Sequence, residues 1–391
     1  MTGWWNAIWT CIPAWEPWHD RAPVTASILV AIILALLAYT YAGYPVVIGI
    51  LSRLRRRELR PSGQPLPAVT ACLPVYNGAS YLPAKIASLL AQDYPGPLDI
   101  LIYCDGCSDD TEAVARRLAA DPAAGGRIRV VVNERRLGKP TGLNTLGPLA
   151  TGELLLLNDV RQPLSPNAVR ALATALSDPS VGCATGNLVL AGAAGSGVYW
   201  RYENWMRRQE SSFRGVVGMT GPIGMIRRAD LGPLDQDLIL DDVWVPMRLV
   251  LGGKRTVLVP EAEARDAAFA DKREFQRKVR TLAGNYQIFA RMPALLLPFR
   301  NPIWFETFSH KILRLVAPWL LVALAAITAA RAPADRWMAG LLLAQLAFYA
   351  AAAVGPRLGR MASLARTFVV LNTAAVLGLW RFLTGRQRVT W

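Results

Sequence analysis

The chain of 391 residues is long enough for roughly two or three domains, and its net charge of +15 suits an anionic partner such as a membrane surface, a nucleic acid or a phosphate-rich substrate. Hydrophobic residues make up 53% of the chain and the mean hydropathy is +0.25, which excludes an ordinary soluble globular protein. Five cysteines in a chain of this length exclude a small disulfide-stabilised fold.

The N-terminal region is predicted to lie on a membrane and then cross it. Residues 1–20 are rich in tryptophan, which favours the lipid headgroup layer, so we expect an interfacial segment there. Residues 22–52 contain no charged side chain and exceed the length of about 20 residues that a transmembrane helix needs. The basic run "RLRRRELR" at 53–60 follows, and it predicts that this end of the helix is cytoplasmic.

Residues 66–270 are predicted to form an α/β domain. After the linker "PSGQPLP" at 61–67, short apolar runs such as "AVTACLPVY" and "GELLLLND" alternate with helical stretches such as "TEAVARRLAA". Strands separated by helices indicate crossover connections and a mostly parallel, Rossmann-like sheet that is covered on both faces. In such sheets ligands bind beyond the carboxyl ends of the strands. Residues 271–310 are predicted to be an interfacial, amphipathic region.

The C-terminal part contains three further apolar segments. Residues 312–331 and 337–356 are each predicted to be a transmembrane helix. The third segment, 365–383, could span the membrane, re-enter it or lie along its surface, because a spanning helix would leave the basic tail "RFLTGRQRVTW" outside. The sequence thus predicts a multi-pass protein of the cell inner (plasma) membrane with its α/β domain on the cytoplasmic side.

The positions of the basic residues decide between the possible anionic partners. Much of the positive charge lies at 53–60 and 357–366, where it would face anionic membrane lipids. The chain also carries no recognisable nucleic-acid-binding motif. We therefore expect membrane lipids and no nucleic acid as partners.

The motif "YCDGCSDDT" at 103–111 contains the only closely spaced cysteine pair, Cys104 and Cys107. A structural zinc site would need two more ligands, yet the only histidines are His19 and His310 and no second cysteine pair exists. Redox motifs usually open a helix, whereas this pair follows a predicted strand and encloses Asp105, which disfavours a thiolate. We expect neither zinc nor redox chemistry, and interpret the thiols as small fillers around a nucleotide pocket.

Acidic residues follow several predicted strands. Asp105 and Asp159 each end an apolar run, a costly position unless the carboxylate binds a cation, a ribose hydroxyl or a backbone amide. Asp109 and Asp110 lie where they could equally cap a helix that begins near Thr111. These positions predict a ligand site at the carboxyl edge of the sheet.

Basic residues could complement a phosphate at the same edge. The segment "NERRLGKPTGLN" at 133–144 places Arg135, Arg136 and Lys139 in a glycine-containing loop after a strand. Arginine forks match phosphate geometry and a lysine binds phosphate as a point charge. A solvated basic loop remains the alternative interpretation.

Seven motifs occur in an order that resembles one known family. They are "LPVYNG", "YCDGCSDDT", "NERRLGKPTGLN", "LLLLNDVRQ", "GPIGMIRR", "LILDDVWVPMRL" and "EFQRKVRTLAGNYQ". Over about residues 66–300 the chain resembles membrane-bound family 2 glycosyltransferases, the cellulose-, chitin- and hyaluronan-synthase-like enzymes with a GT-A catalytic domain.

The resemblance implies an inverting glycosyltransferase. Such an enzyme moves a hexose from a nucleotide sugar, with a UDP-sugar expected, to a glycan acceptor in exopolysaccharide or cell-surface glycan synthesis. Two alternatives stay open. One is transfer to a lipid acceptor, such as a polyprenyl phosphate, ceramide or another glycolipid. The other is a catalytically impaired partner of a synthase.

The resemblance also implies residue roles. Asp242 is the expected catalytic base, with Asp241 beside it, and Asp159 is the expected ligand of Mg²⁺ or Mn²⁺. The residues expected to bind the donor are Pro74, Tyr76, Asn77, Asp105, Lys139, Asp159, Gln276, Arg277 and Arg280. Gly221, in "GPIGMIRR", is expected beside the acceptor. Trp200 and Trp205 could stack on an acceptor sugar or equally anchor an interfacial helix.

Two departures from the family pattern bear on function. The family's metal-binding motif, DxD, has two aspartates separated by one residue. In this chain Arg161 replaces the second aspartate, so metal ligation rests on one aspartate or the metal binds weakly. The QxxRW pattern appears as Gln276 through Arg280 with no tryptophan following. In processive enzymes of the family that tryptophan lines the acceptor site, so polymer synthesis is not implied.

Overall fold

The computed structural model of the chain describes residues 21–191, 196–267 and 271–387, so the predicted interfacial segment 1–20 lies outside the described residues. Within this part of the chain, seven strands form one sheet. They are β1 (Val69–Val75), β2 (Leu98–Asp105), β3 (Ile128–Asn133), β4 (Leu154–Asn158), β5 (Val181–Ala191), β6 (Ile223–Arg227) and β7 (Arg255–Ala267).

Helices precede, interleave with and follow these strands. Before the sheet lie α1 (Arg21–Ala38) and α2 (Tyr44–Leu54), joined by a π-helical turn, Tyr39–Gly43. Within the domain lie α3 (Leu82–Leu90), α4 (Thr111–Ala120), α5 (Lys139–Leu149), α6 (Ala168–Leu176), α7 (Ser196–Phe213) and α8 (Asp241–Leu251). After it come α9 (Asp271–Arg291), α10 (Trp304–Glu306), α11 (Leu313–Arg331), α12 (Arg336–Val354) and α13 (Arg360–Leu383), with a π-helical stretch at Thr307–Ile312.

The sheet is mostly parallel, as predicted. Its strand order is β3-β2-β1-β4-β6-β5-β7, and β1 pairs in parallel with both β2 and β4. Strands β2 and β3, and also β5 and β7, are parallel, whereas β6 runs antiparallel to β4 and β5. The carboxyl ends of β1, β2 and β4 therefore meet at one edge, where ligands bind in open α/β sheets.

The central strands are apolar throughout because both faces of the sheet are covered. Every residue of β1 and β4 is buried. Leu73 and Leu156 face one buried cluster, which includes residues of α3, α4 and α6. Leu155 and Leu157 face another, which includes residues of α5 and α8. Burial on both faces holds the loops at the carboxyl edge in fixed positions.

Helix α4 begins at Thr111, as predicted, and Asp109 supports its start. The Asp109 carboxylate accepts a hydrogen bond from the Thr111 backbone N–H at 3.1 Å, while Asp110, at the N-cap position, makes no side-chain capping bond. Asp109 also accepts a hydrogen bond from the Ala79 N–H at 3.3 Å. Of the two predicted capping residues, Asp109 alone uses its side chain, and it ties α4 to the loop after β1.

Four helical stretches are long and apolar enough to cross a membrane. They are Val24–Leu54, Trp304–Arg331, Arg336–Val354 and Arg360–Leu383. Large apolar side chains point outward from them, with Val24 59%, Val322 61% and Leu343 66% exposed. Outward apolar surface of this extent suits lipid rather than water. The four stretches are accordingly candidate membrane spans, and the third C-terminal segment is a continuous helix of 24 residues.

A buried polar network joins the α/β domain to two of these helices. Tyr44 of α2 donates a hydrogen bond to Glu210 of α7 at 2.6 Å, and His310 Nδ1 lies 2.7 Å from the same carboxylate. Glu203, which precedes Glu210 in the same helix α7, forms an ion pair with Arg314 at 2.8 Å. Because breaking a buried charged pair is costly, this network holds the domain rigidly against the apolar helices.

Candidate active site

Lys139 lies at the centre of a cluster of carboxylates at the carboxyl edge of the sheet. It is the first residue of α5, and its ammonium lies 2.8 Å from Asp159 Oδ1 and 3.3 Å from Asp241 Oδ2. Burial by itself would lower the pKa of Lys139, but Asp159 and Asp241 outweigh burial and hold the pKa above its usual range. One permanently charged ammonium thus joins the end of β4 to the start of α8.

Asp242 has the environment of a general base. Its Oδ1 is buried and accepts no hydrogen bond from any residue that the structure describes. Burial, followed by the negative charge of Asp241, raises the pKa of Asp242 to about 6. A carboxylate with a pKa closer to neutrality than usual is better suited to take a proton from a weak acid.

Gly221 leaves open space beside Asp242. A Cβ atom at Gly221 would lie 3.0 Å from Asp242 Oδ2, closer than ordinary van der Waals contact. Gly221 therefore lies next to the residue that is expected to be the base. Its predicted contact with an acceptor stays a prediction.

Asp105 holds the loop that delivers Lys139. Its two carboxylate oxygens accept hydrogen bonds from the backbone N–H groups of Leu137 and Gly138, each at 2.8 Å, and the residue is only 1% exposed. Gly138 has φ +93°, a conformation that suits glycine. The predicted contact of Asp105 with a nucleotide stays a prediction, but its role in positioning this loop is evident from the hydrogen bonds.

The residues after β1 and the basic loop lie together. The Arg136 guanidinium carbon is 3.6 Å from the centroid of the Tyr76 ring. Asn77, with φ +48°, exchanges hydrogen bonds with Ser108, in which its Nδ2 donates to Ser108 Oγ at 2.9 Å. Pro74, in β1, pairs in register with Tyr103 of β2. The structure therefore brings the predicted Pro74–Asn77 element beside the loops after β2 and β3.

Lys85 is a site-supporting residue that sequence reasoning missed. Its side chain is fully buried, and its ammonium donates a hydrogen bond at 2.8 Å to the Gln162 carbonyl in the turn after β4. Burial lowers the pKa of Lys85 to about 7. A signal was present in the sequence, because Lys85 shares the apolar face of α3 with Leu82 and Leu89, where a lysine is out of place.

Arg161 and Asp266 form a second pair that only the structure reveals. Arg161 Nη2 lies 2.9 Å from Asp266 Oδ1, and Gln162 Nε2 donates to Asp266 Oδ2 at 2.6 Å. Asp266 lies near the end of β7, far along the chain from the turn after β4. Nothing in the local sequence indicates this pairing.

The predicted donor-binding residues of α9 divide into two groups. Arg280 Nη2 donates to the Ile239 carbonyl at 2.9 Å and helps to lower the pKa of Asp242, so it lies near the base. Arg277 is exposed and lies within electrostatic range of Asp159. Gln276 instead accepts a hydrogen bond from Arg381 of α13 at 3.0 Å, so its side chain connects α9 to an apolar helix.

The two tryptophans that could stack on an acceptor sugar each contact a neighbouring element. Trp200 Nε1 donates to the Leu188 carbonyl at 2.7 Å, which ties α7 to β5. Trp205 packs on α2, where a Cβ at Gly49 would lie 3.2 Å from its ring. These contacts favour the anchoring alternative for Trp205, since α2 belongs to a candidate membrane span.

The cysteine pair lies beside the same loops. Cys104 is buried and Cys107 is partly exposed, with Cys107 Sγ 3.4 Å from the Val75 carbonyl oxygen. Both are free thiols. Cys104 belongs to the buried cluster on one face of the sheet, and Cys107 packs against that cluster.

A family model described as "Glycosyl transferase family 2" matches residues 70–232, a range that holds Asp105, Lys139 and Asp159. Residues 70–232 are a family 2 glycosyltransferase domain. The predicted family is therefore confirmed for this domain, and the carboxylate cluster lies within or directly beside it.

Curated relatives resemble about half of the chain, and a solved structure resembles most of it. N-acetylglucosaminyltransferases of Mesorhizobium japonicum and Rhizobium meliloti are each 30% identical to it, over 225 and 221 residues. These matches cover 52% of both chains in the first case and 51% in the second, so the chain spans about half the length of the curated relatives it matches.

The solved structure is the mannosyltransferase PcManGT from Pyrobaculum calidifontis in complex with GDP-Man and Mn²⁺. It superposes with a TM-score of 0.71 at 25% identity, covering 92% of this chain and 99% of that one. The predicted GT-A-like fold is thereby confirmed for the glycosyltransferase domain together with its flanking helices.

Gly106→Ala is expected to disturb the glycosyltransferase domain's basic loop. Gly106 has φ +60°, and a Cβ there would lie 2.4 Å from the Arg136 backbone nitrogen, so an alanine must push the two loops apart. We expect nucleoside diphosphate affinity to fall by about tenfold, measured by calorimetry. Gly125→Ala is a matched control, because Gly125 also has positive φ but its Cβ would meet nothing within 4 Å. Equal affinities of the two variants would contradict this view of the loop.

Proposed function

We propose that the chain is a membrane-associated, inverting glycosyltransferase that moves a sugar from a nucleoside diphosphate sugar to an acceptor hydroxyl. One observation carries the proposal: the buried Lys139 ammonium holds Asp159 and Asp241 together beside Asp242, a carboxylate with a raised pKa. Cation, anion and base thus lie at the carboxyl edge of the sheet, where a nucleotide would bind.

The reaction follows from these groups. Asp242 takes the proton of the acceptor hydroxyl while that oxygen attacks the anomeric carbon of the donor sugar. The new carbon–oxygen bond forms as the bond to the diphosphate breaks on the opposite face, so the anomeric configuration inverts. The departing diphosphate gains negative charge, which Lys139, Arg277 and Arg280 would stabilise through charge-assisted hydrogen bonds.

Asp159 suits a divalent ion that is shared with the donor. The part of the chain that the structure describes contains no group of three or more His, Cys, Asp or Glu residues able to hold a metal alone. Mg²⁺ is often held by one or two carboxylates together with substrate phosphates and water, so a single aspartate fits. An ion held there, Mg²⁺ or Mn²⁺, would supply further positive charge to the diphosphate.

The donor is proposed to be a UDP-sugar, with UDP-N-acetylglucosamine the first choice. The curated relatives are N-acetylglucosaminyltransferases, whereas the structural neighbour holds GDP-Man, so the sugar and the base both need testing. Purified chain is incubated with a panel that includes UDP-N-acetylglucosamine, UDP-glucose and GDP-mannose, and released nucleoside diphosphate is measured with Mg²⁺ or Mn²⁺. We expect release from a UDP-sugar, and release only from GDP-mannose would overturn the uridine assignment.

The acceptor is proposed to be a glycan of the cell surface, with the α/β domain on the cytoplasmic side of the inner membrane. The buried contacts of α7 with α2 and His310 hold the domain directly against apolar helices, which also favours a lipid acceptor as the second candidate. Product analysis with labelled donor separates the two. A ladder of products indicates a glycan polymer, whereas one product extracted by organic solvent indicates a lipid acceptor.

Asp241→Asn is expected to shift the pH dependence of transfer. The negative charge of Asp241 helps to raise the pKa of Asp242, so its removal lowers that pKa. Because a general base works in its deprotonated form, activity of the wild-type chain should fall as the pH drops through about 6, and the variant should lose activity only at lower pH. The measurement is kcat/KM against pH, with Asp235→Asn as an exposed control. An unshifted acidic limb would contradict the assignment of Asp242.

A further inference from the structure

Arg161 lies where the family resemblance places a second metal-binding carboxylate, and the structure holds its guanidinium in place. It forms the 2.9 Å ion pair with Asp266, and its guanidinium carbon lies 5.5 Å from the centroid of the Tyr81 ring. Its side chain is 32% exposed, whereas that of Asp266 is only 5% exposed. The buried carboxylate of Asp266 therefore holds the Arg161 guanidinium in position, and part of the Arg161 side chain stays exposed to solvent.

The turn that carries Arg161 also carries Asp159. The Lys85 ammonium donates a hydrogen bond to the Gln162 carbonyl in this turn, and the Gln162 side chain donates one to Asp266. Asp159 and Arg161 thus belong to one turn at the carboxyl edge of the sheet, and these hydrogen bonds hold the turn in place. Arg161 also lies within electrostatic range of Arg277, which itself interacts with Asp159. A ligand that contacts Asp159 consequently approaches the fixed positive charge of Arg161 as well as that of Arg277.

The charge at this position has the opposite sign from that of a metal-binding carboxylate. An aspartate in place of Arg161 would repel a diphosphate unless a cation lay between them, whereas a guanidinium attracts the diphosphate directly. Guanidinium groups form two parallel hydrogen bonds with phosphate oxygens, and a planar fork already held by Asp266 loses little freedom on binding.

We propose that Arg161 is a donor-binding residue whose guanidinium contacts the diphosphate directly, so that this chain retains much of its nucleoside diphosphate affinity without a divalent ion. This rests on the proposed function, since it concerns the same donor. Asp266 and Gln162 hold the guanidinium in position. The second carboxylate of a two-aspartate metal site is thereby replaced by a positive charge that belongs to the protein.

Binding of UDP and GDP to the full chain in detergent, measured by calorimetry in Mn²⁺ and again in EDTA, tests this proposal. We expect the wild-type chain to bind in both conditions. Arg161→Gln should lose about tenfold or more in affinity in EDTA, the worth of a charge-assisted hydrogen bond, and Arg161→Lys should recover part of that loss. Arg265→Gln is the matched control, because Arg265 is exposed on the same strand as Asp266 and pairs with Glu263.

A charge reversal provides the complementary measurement. Arg161→Asp combined with Asp266→Asn offers two carboxylates in the turn without placing them against a third. We expect this double variant to require Mn²⁺ for UDP binding and to hold Mn²⁺ more tightly than the wild-type chain in the presence of UDP, as measured by electron paramagnetic resonance.

The outcomes separate the two levels of inference. If the wild-type chain binds UDP or GDP but Arg161→Gln binds equally well in EDTA, the role of Arg161 is overturned and the proposed function stands. If the wild-type chain needs Mn²⁺ for any binding, the role of Arg161 is likewise overturned. If it binds neither nucleotide even with Mn²⁺, the proposed function itself fails.

Discussion

Asp242→Asn is expected to lower the rate of sugar transfer by a factor of about 10² to 10⁴ while leaving donor binding largely intact. The amide cannot accept the acceptor's proton, yet it fills the same space between Gly221 and the start of α8. The substitution also removes a carboxylate whose buried Oδ1 accepts no hydrogen bond from the described residues, so the stability of the fold should not decrease.

Two measurements separate loss of the base from loss of the fold. Calorimetry should show UDP affinity near that of the wild-type chain, and thermal unfolding in detergent should show an equal or higher midpoint. Asp235→Asn, which alters an exposed carboxylate paired with Arg291, should leave transfer unchanged. Transfer by Asp242→Asn at the wild-type rate would remove Asp242 from the role of base.

Lys139→Met is expected to weaken donor binding and to destabilise the fold. The substitution leaves the buried carboxylate of Asp241 without its cation, and breaking a buried ion pair in this way costs about 3 to 5 kcal/mol. The lower value applies here, because the side chain of the other partner, Asp159, is 39% exposed and water screens it. Lys139 also lowers the pKa of Asp242, so loss of Lys139 should raise that pKa and move the acidic limb of the pH profile to higher pH.

A double variant separates the two effects of Lys139. Adding Asp241→Asn to Lys139→Met removes the uncompensated buried charge, so the thermal midpoint should recover, whereas UDP affinity should remain low. Lys254→Met is the control, because Lys254 is exposed and its ammonium contacts only the Pro179 carbonyl among described residues. Recovery of both properties in the double variant would show that Lys139 acts on stability alone.

Several features of the protein could be predicted from the sequence because they depend on local patterns. The uncharged stretch 22–52 indicates a membrane helix by its length, and the alternation of apolar runs with helical stretches indicates a mostly parallel sheet. Asp105 and Asp159 end apolar strands, and strand ends in such a sheet converge on one edge. The placement of these carboxylates at the carboxyl edge was therefore predictable without knowledge of strand order.

The pairings between side chains were decided only by the tertiary structure. Lys139 meets Asp241, and Arg161 meets Asp266, because the strand order brings distant loops to the same edge, and no local pattern records which loops become neighbours. Gln276 meets Arg381 for the same reason, since the contact depends on how α9 packs on α13. Periodicity sets which face of an element is buried, whereas the partner of a buried charge depends on the packing of whole elements.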